Sequence, residues 1–220
     1  MAKTALLIVD VQNDFCPGGA LPVPDGDRVI EPLNCVVARA IHEKWFICAS
    51  RDWHPRNSRH FVEFGGQWPA HCIQNTEGAR FYPELYLPEE LRIFSKGCAV
   101  SGLSREVDGY SAFDGRDQFS MTLRQTLPFR GVELLYVAGL ATDYCVKATV
   151  LDACLIGYKT RVLINCCRGV ERNEGDSRRA VMEMMRAGAE ISFEPYDSMV
   201  MRIPRVQQRP QPSSRCATIR

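Results

Sequence analysis

Short apolar runs alternate along this chain with stretches of helical period. Residues 4–9 are apolar after Thr4 and read as a strand buried on both faces. Residues 27–44 repeat Ile30, Leu33, Val37 and Ile41 at helical spacing, which predicts an amphipathic helix with those four on its inner face. Further strands are predicted at 45–49, 91–94, 134–138, 160–164 and 189–193, and helical pieces at 123–127, 142–157 and 176–187. Strands that alternate with helices build a parallel sheet with helices on both faces. The expected fold class is therefore α/β: one three-layer α/β/α domain over residues 1–201, with a mostly parallel central sheet of about six strands.

Two stretches break the alternation. Residues 51–90 hold Gly, Pro, His and aromatic residues with no period. A loop that long in an α/β domain is usually functional or disordered. Trp53, Phe61, Phe64, Trp68, Phe81 and Tyr82 argue against disorder. Residues 202–220, with Pro204, Pro210, Pro212 and several Arg, read as a flexible, mildly basic C-terminal tail.

The formal net charge of +1 gives no sign of nucleic acid as a bulk partner. No apolar run approaches the roughly 18 residues of a membrane span, so no membrane partner is expected. A homo-oligomer is compatible with the sequence. Met1-Ala2-Lys3-Thr4 leads into the first strand without the pattern of a secretory signal. Ten cysteines in that context predict reduced thiols and a cytoplasmic location. Most free cysteines are small buried hydrophobes. Cys35, Cys48, Cys154, Cys166 and Cys167 lie in apolar patterns and take that role. Cys16, Cys72 and Cys98 are expected to pack among polar motifs, since there is no C-x-x-C pair.

Cys145 is different. The apolar run before it ends at Gly139, and a helical pattern starts near Thr142, a good N-cap residue. Val146, Thr149, Val150, Ala153 and Ile156 mark its inner face. A thiol three residues into a helix feels the positive end of the dipole, which favours the nucleophilic thiolate. Sites in open parallel sheets form beyond the C-terminal ends of the strands. There the chain offers Asp10, the pair Asp52 and His54, Lys96, and Cys145. Asp52 and His54, two apart on an extended segment, share a face. His60 and His71 follow in the same loop, so three of the four histidines lie within it. That donor set suits Zn²⁺, Mn²⁺ or Fe²⁺ with positions left open.

The motifs Ile8-Val9-Asp10-Val11-Gln12-Asn13-Asp14-Phe15-Cys16-Pro17-Gly18-Gly19, Asp52-Trp53-His54-Pro55, Trp68-Pro69-Ala70-His71-Cys72, Lys96-Gly97, Tyr110-Ser111-Ala112-Phe113 and Gly139-Leu140-Ala141-Thr142-Asp143-Tyr144-Cys145-Val146 together resemble those of the nicotinamidases/pyrazinamidases. These belong to the isochorismatase-like cysteine hydrolase superfamily. The resemblance runs from residue 4 to about residue 192. It implies an isochorismatase-like, Rossmann-like fold and a catalytic set of Asp10, Lys96 and Cys145. It also implies metal ligands Asp52, His54 and His71, with zinc the foremost metal and Fe²⁺ or Mn²⁺ as alternatives. In some branches a histidine at the position of His60 binds the metal; here His60 is left as a direct ligand, a holder of a metal-bound water, or a pocket-lining residue.

The resemblance further implies a cis peptide between Leu140 and Ala141, and an oxyanion hole made by the N–H groups of Ala141 and Cys145. Phe15, Trp68 and Tyr110 would wall an aromatic substrate. The implied reaction is hydrolysis of nicotinamide to nicotinate and ammonia through a thioester, in NAD salvage, with pyrazinamide as a second substrate. Water near the metal would hydrolyse the thioester, and the metal would anchor the pyridine nitrogen. Two other readings stand beside it. An amidase for a carbamoyl or ureido substrate would keep Asp10, Lys96 and Cys145 without needing the metal set. A metal-stabilised binding protein would need no nucleophile.

Overall fold

The apolar run near the N-terminus forms the middle of the molecule. In a computed structural model, which describes residues 3–98 and 109–193, residues 5–9 of β1 (Lys3–Val9) are fully buried. The strand lies between β2 (Phe46–Asp52) and β4 (Val132–Leu140). With β3 (Arg92–Lys96), β5 (Lys159–Arg168) and β6 (Glu190–Ser192) the sheet has six strands in the order β3-β2-β1-β4-β5-β6. Every pairing is parallel. A strand buried on both faces has no polar side to alternate with, which explains the unbroken Ala5-Leu6-Leu7-Ile8-Val9.

Helices flank the sheet in a three-layer α/β/α domain. α1 (Ile30–His42) packs on β1, β2 and β5. α2 (Leu123–Phe129) rests on β4, its start fixed by Gln125 Oε1, which accepts from the Thr122 N–H at 2.9 Å. α3 (Lys147–Ile156) and α4 (Asp176–Arg186) pack on each other and on β5 and β6 respectively. The expected elements are all present, with bounds moved by a few residues. On α1 the buried set is Ile30, Leu33, Val36, Val37 and Ala40, while Ile41 is exposed. Ile41 sits about 100° around the helix from Ala40, and the sheet is reached by Ala40.

Residues 51–90 are ordered by their own backbone bonds. His54 bridges Ile73, Phe61 bridges Trp68, and Gln12 bridges Phe81. Gly139 has φ of 128°, and any side chain there would strike the backbone of Val9. Glycine thus lets the end of β4 run close beside the end of β1. Among the described residues no helix is long and apolar enough to cross a membrane. The expected tail at 202–220 lies outside the described residues.

Candidate active site

The sheet order β3-β2-β1-β4 places four strand ends in a row, and each ends on chemistry. The row includes the point where strand order reverses, between β1 and β4, where open α/β sheets form their crevices. Asp10 follows β1 with φ of 49°, a left-handed turn that re-aims the chain as it leaves the sheet. Asp52 closes β2, and Lys96 closes β3 in register with it. Cys145 follows β4 across a cis Leu140–Ala141 peptide.

The segment before α3 differs from the expected helix start. Thr142–Val146 form a π-helical turn, with Ala141 rather than Thr142 as the cap residue. Thr142 is itself in the turn and makes no capping bond, because the wide turn already begins at the residue before it. Cys145 still lies in the first turn, 6% exposed, above the sheet.

Lys96 joins the set. Its Nζ lies 2.9 Å from Asp10 Oδ2 and 3.4 Å from Cys145 Sγ, and it also donates to Asp52 Oδ1. Ser50 donates to Asp10 Oδ1 at 2.7 Å. Donor atoms of Asp10, Asp52 and Cys145 all lie within 4.8 Å of one another. Burial would strip the Lys96 charge, but Asp10, Asp52 and Cys145 hold its pKa well above the ordinary value. Burial raises the Asp10 carboxyl, with Lys96 pulling the other way. Burial also pushes the Cys145 thiol well up; Lys96 lowers it, and Asp10 and Asp52 raise it further. Burial thus opposes the thiolate that the helix end and Lys96 favour. The site holds a thiol next to a carboxylate that can take its proton.

Beside this set is a histidine cluster. One ring nitrogen from each of His54, His60 and His71 lies within 4.8 Å of the others. His54 Nε2 is 3.7 Å and His71 Nε2 3.8 Å from Asp52 Oδ2. Each of these two rings sets its Nδ1 against a backbone carbonyl, Gly97 O at 3.2 Å and Pro69 O at 2.7 Å. That leaves Nε2 as the acceptor facing the common centre, the usual tautomer of a ligating histidine. His54 Nε2 is buried without a hydrogen-bond partner among the described residues. Burial brings the His71 pKa down to about 4, so its imidazole is neutral. Asp52 is pushed up by burial, but Lys96, His54 and His71 outweigh this and hold it well below the ordinary value. A neutral His71 imidazole, an ionised Asp52 carboxylate and an orphaned acceptor on His54 suit a divalent transition metal.

Aromatic side chains frame the space between the two groups. Phe15 lies 5.5 Å from His71, and Tyr110 5.7 Å from His60, between ring centroids. Tyr110 Oη accepts from Trp68 Nε1 at 2.9 Å. Sequence reasoning did not single out Tyr144, which packs on both Trp68 and Tyr110. It also passed over Ser50, which gives no signal within a strand, and Phe61, which meets His54 and His71 edge-on.

The chain is similar to known proteins over most of its length. A profile of the Isochorismatase domain matches residues 4–192. The nicotinamidase of Escherichia coli (strain K12) is 44% identical over 208 residues, covering 87% of this chain and 95% of that one. The crystal structure of the pyrazinamidase of Pyrococcus horikoshii in complex with zinc superposes with a TM-score of 0.77 at 40% identity, covering 87% and 99%. A protein of L. infantum solved in complex with nicotinate superposes with a TM-score of 0.74 at 29% identity, covering 87% and 93%.

Proposed function

The chain belongs to the isochorismatase family, and from that premise we propose that it is a metal-dependent cysteine amidohydrolase that converts nicotinamide to nicotinate and ammonia. The reaction places it in NAD salvage, and pyrazinamide fits the same pocket as a second substrate. The observation that carries the reading is the Lys96 ammonium, set between Asp10, Cys145 and Asp52, one residue away from the histidine cluster.

Asp10 takes the proton from Cys145 Sγ, and Lys96 stabilises the sulfur as it becomes anionic. The sulfur attacks the carboxamide carbon. The N–H groups of Ala141 and Cys145 are proposed to hold the oxyanion, which their places at the cap and in the first turn of this segment support. Asp10 returns its proton to the departing ammonia, leaving a thioester on Cys145. Water cleaves the thioester, giving nicotinate and regenerating the thiol.

Asp52, His54 and His71 would hold the metal, with His60 as a further ligand, and zinc is the proposed ion. Bound there, it supplies a Lewis-acidic position for the ring nitrogen of the substrate. Phe15, Trp68 and Tyr110 wall the ring. An amidase for a carbamoyl or ureido substrate would have no use for the histidine cluster. Nine free cysteines among the described residues support a reducing, cytoplasmic setting. The hydrolase domain over 1–201 and the basic tail over 202–220 belong to the same reading.

The test is ammonia release from nicotinamide and from benzamide on zinc-loaded protein, repeated after chelation. Benzamide has the same shape but no ring lone pair, so its kcat/KM should be lower by about 100-fold or more. Chelation should abolish nicotinamide turnover, and zinc should restore it. Comparable kcat/KM for the two amides would show that the ring nitrogen is not read.

A further inference from the structure

The carboxylate and histidine donors lie on one stretch of chain, where the His54 N–H donates to the Cys72 carbonyl and the Gln74 N–H to the His54 carbonyl. The chain just after β1 braces that stretch from outside. Gln12 is fully buried, and its amide spans to the end of β2. Its Oε1 accepts from the Asp52 N–H at 2.8 Å, and its Nε2 donates to the Asp52 carbonyl at 2.8 Å and to the Ala79 carbonyl at 2.9 Å. The Asp52 backbone is thereby gripped at both polar groups. Two residues on, Asp14 accepts from the Cys72 N–H at 2.6 Å and from the Ala20 N–H at 3.1 Å. Cys72 is the neighbour of His71, and the Cys72 carbonyl accepts from the His54 N–H at 3.0 Å. A side chain on Gly78 would run into the Asp14 carboxylate, so the loop seats directly on it.

From these bonds we propose that Gln12 and Asp14 are positioning residues for the metal centre, acting through the backbones of Asp52 and of the His71–Cys72 segment. Asp10, Gln12 and Asp14 follow one another at every second position as the chain leaves β1, turns at Asp10 and enters the 3-10 turn Asn13–Phe15. The first serves the nucleophile, and the other two hold the ligand-bearing segments against it. A ligand-bearing residue whose backbone is held at both polar groups keeps its Cα in place, so ligation needs less further ordering. The inference rests on the reading of Asp52, His54 and His71 as ligands.

The experiment is zinc affinity by competition with a chromophoric chelator, together with the absorption spectrum of the Co²⁺-loaded protein. Four proteins are compared: wild type, Gln12→Met, Asp14→Asn and His54→Ala. Gln12→Met keeps the size of the side chain and removes all three hydrogen bonds. Its zinc affinity should fall about 10- to 100-fold, as is common when groups supporting metal ligands are lost, and its Co²⁺ bands should shift. Asp14→Asn should move both readouts in the same direction, and it decides the matter if Gln12→Met does not fold. A purely structural role would lower the thermal midpoint of the metal-free protein and leave both metal readouts alone. Affinities within about threefold of wild type, with unchanged Co²⁺ spectra, overturn the proposal while His54→Ala still loses the metal. If His54→Ala binds zinc as wild type does, the ligand assignment itself falls, and this inference falls with it.

Discussion

At the scale of single residues, the proposed chemistry turns on a thiol that burial biases towards its protonated form. Cys145 has two carboxylates near it and one ammonium, and the balance holds its pKa up. In the proposed mechanism its reactivity comes from proton transfer to Asp10 during attack, with Lys96 steadying the charge. Cys145→Ala removes one buried sulfur and its bond from Lys96, and leaves the bonds of Lys96 to Asp10 and Asp52 in place. Turnover should fall by at least about a thousandfold, and the thermal midpoint should change little. Appreciable ammonia release by the folded variant would assign the attack to another group. The residues of this group were legible in the sequence because each sits in a short motif directly after an apolar run. Gln12 and Asp14 were not legible as supports. The backbone groups they hold at the site lie 40 to 67 residues away, and a backbone partner imposes no side-chain pattern on the sequence. The opposing effect of burial on the thiol was also hidden, since first-turn position is visible in a sequence and the degree of burial is not.

At the scale of elements, the ends of strands decide what the site contains. The β3 end carries Lys96 and then Gly97, whose φ is 66°. The Gly97 carbonyl receives His54 Nδ1, and a side chain on Gly97 would press into the His54 ring. That ring cannot swing away, because it stacks on His60 at 4.8 Å and meets Phe61 and His71 edge-on. Gly97→Ala should therefore cost more than about 1 kcal/mol from its backbone alone. It should also weaken zinc retention about tenfold or more by displacing a ligand. Unchanged retention on chelator challenge would show that the His54 position is not set by the β3 turn. The strands themselves were readable because unbroken apolar runs and helical spacing survive without tertiary context. The π turn at Thr142–Val146 was not, because it uses the same residues an ordinary helix start would use. Ile41 was misplaced for a related reason: a helical stripe four residues wide does not reveal which of two adjacent apolar positions meets the sheet.

At the scale of the whole molecule, the many buried thiols make folding sensitive to alkali. Burial pushes the pKa of Cys16 up to about 12, and that of Cys167 also to about 12, from an ordinary 9.0. It raises Cys48 as well, and it raises Cys72 and Cys145 well above the same starting value. In the unfolded chain these thiols ionise near the ordinary value, while in the folded protein they stay protonated. Above that point the unfolded state binds fewer protons than the folded one, so stability must fall as pH rises. The loss begins near the unfolded pKa and continues until the folded pKa is reached. Each thiol contributes about 1.4 kcal/mol per pH unit across that window. Several acting together can exhaust a typical stability of about 5–15 kcal/mol within one or two pH units. Denaturant unfolding in the presence of a reductant and a chelator should show a steep drop in the midpoint above about pH 9.5. Cys48→Ala, which removes a thiol raised by burial alone, should flatten that slope by about one proton while lowering stability at neutral pH. A midpoint constant from pH 9 to about pH 10.5 would mean that the interior already admits solvent to these sulfurs. The sheet would then be more open at its thiol-bearing positions than its burial indicates.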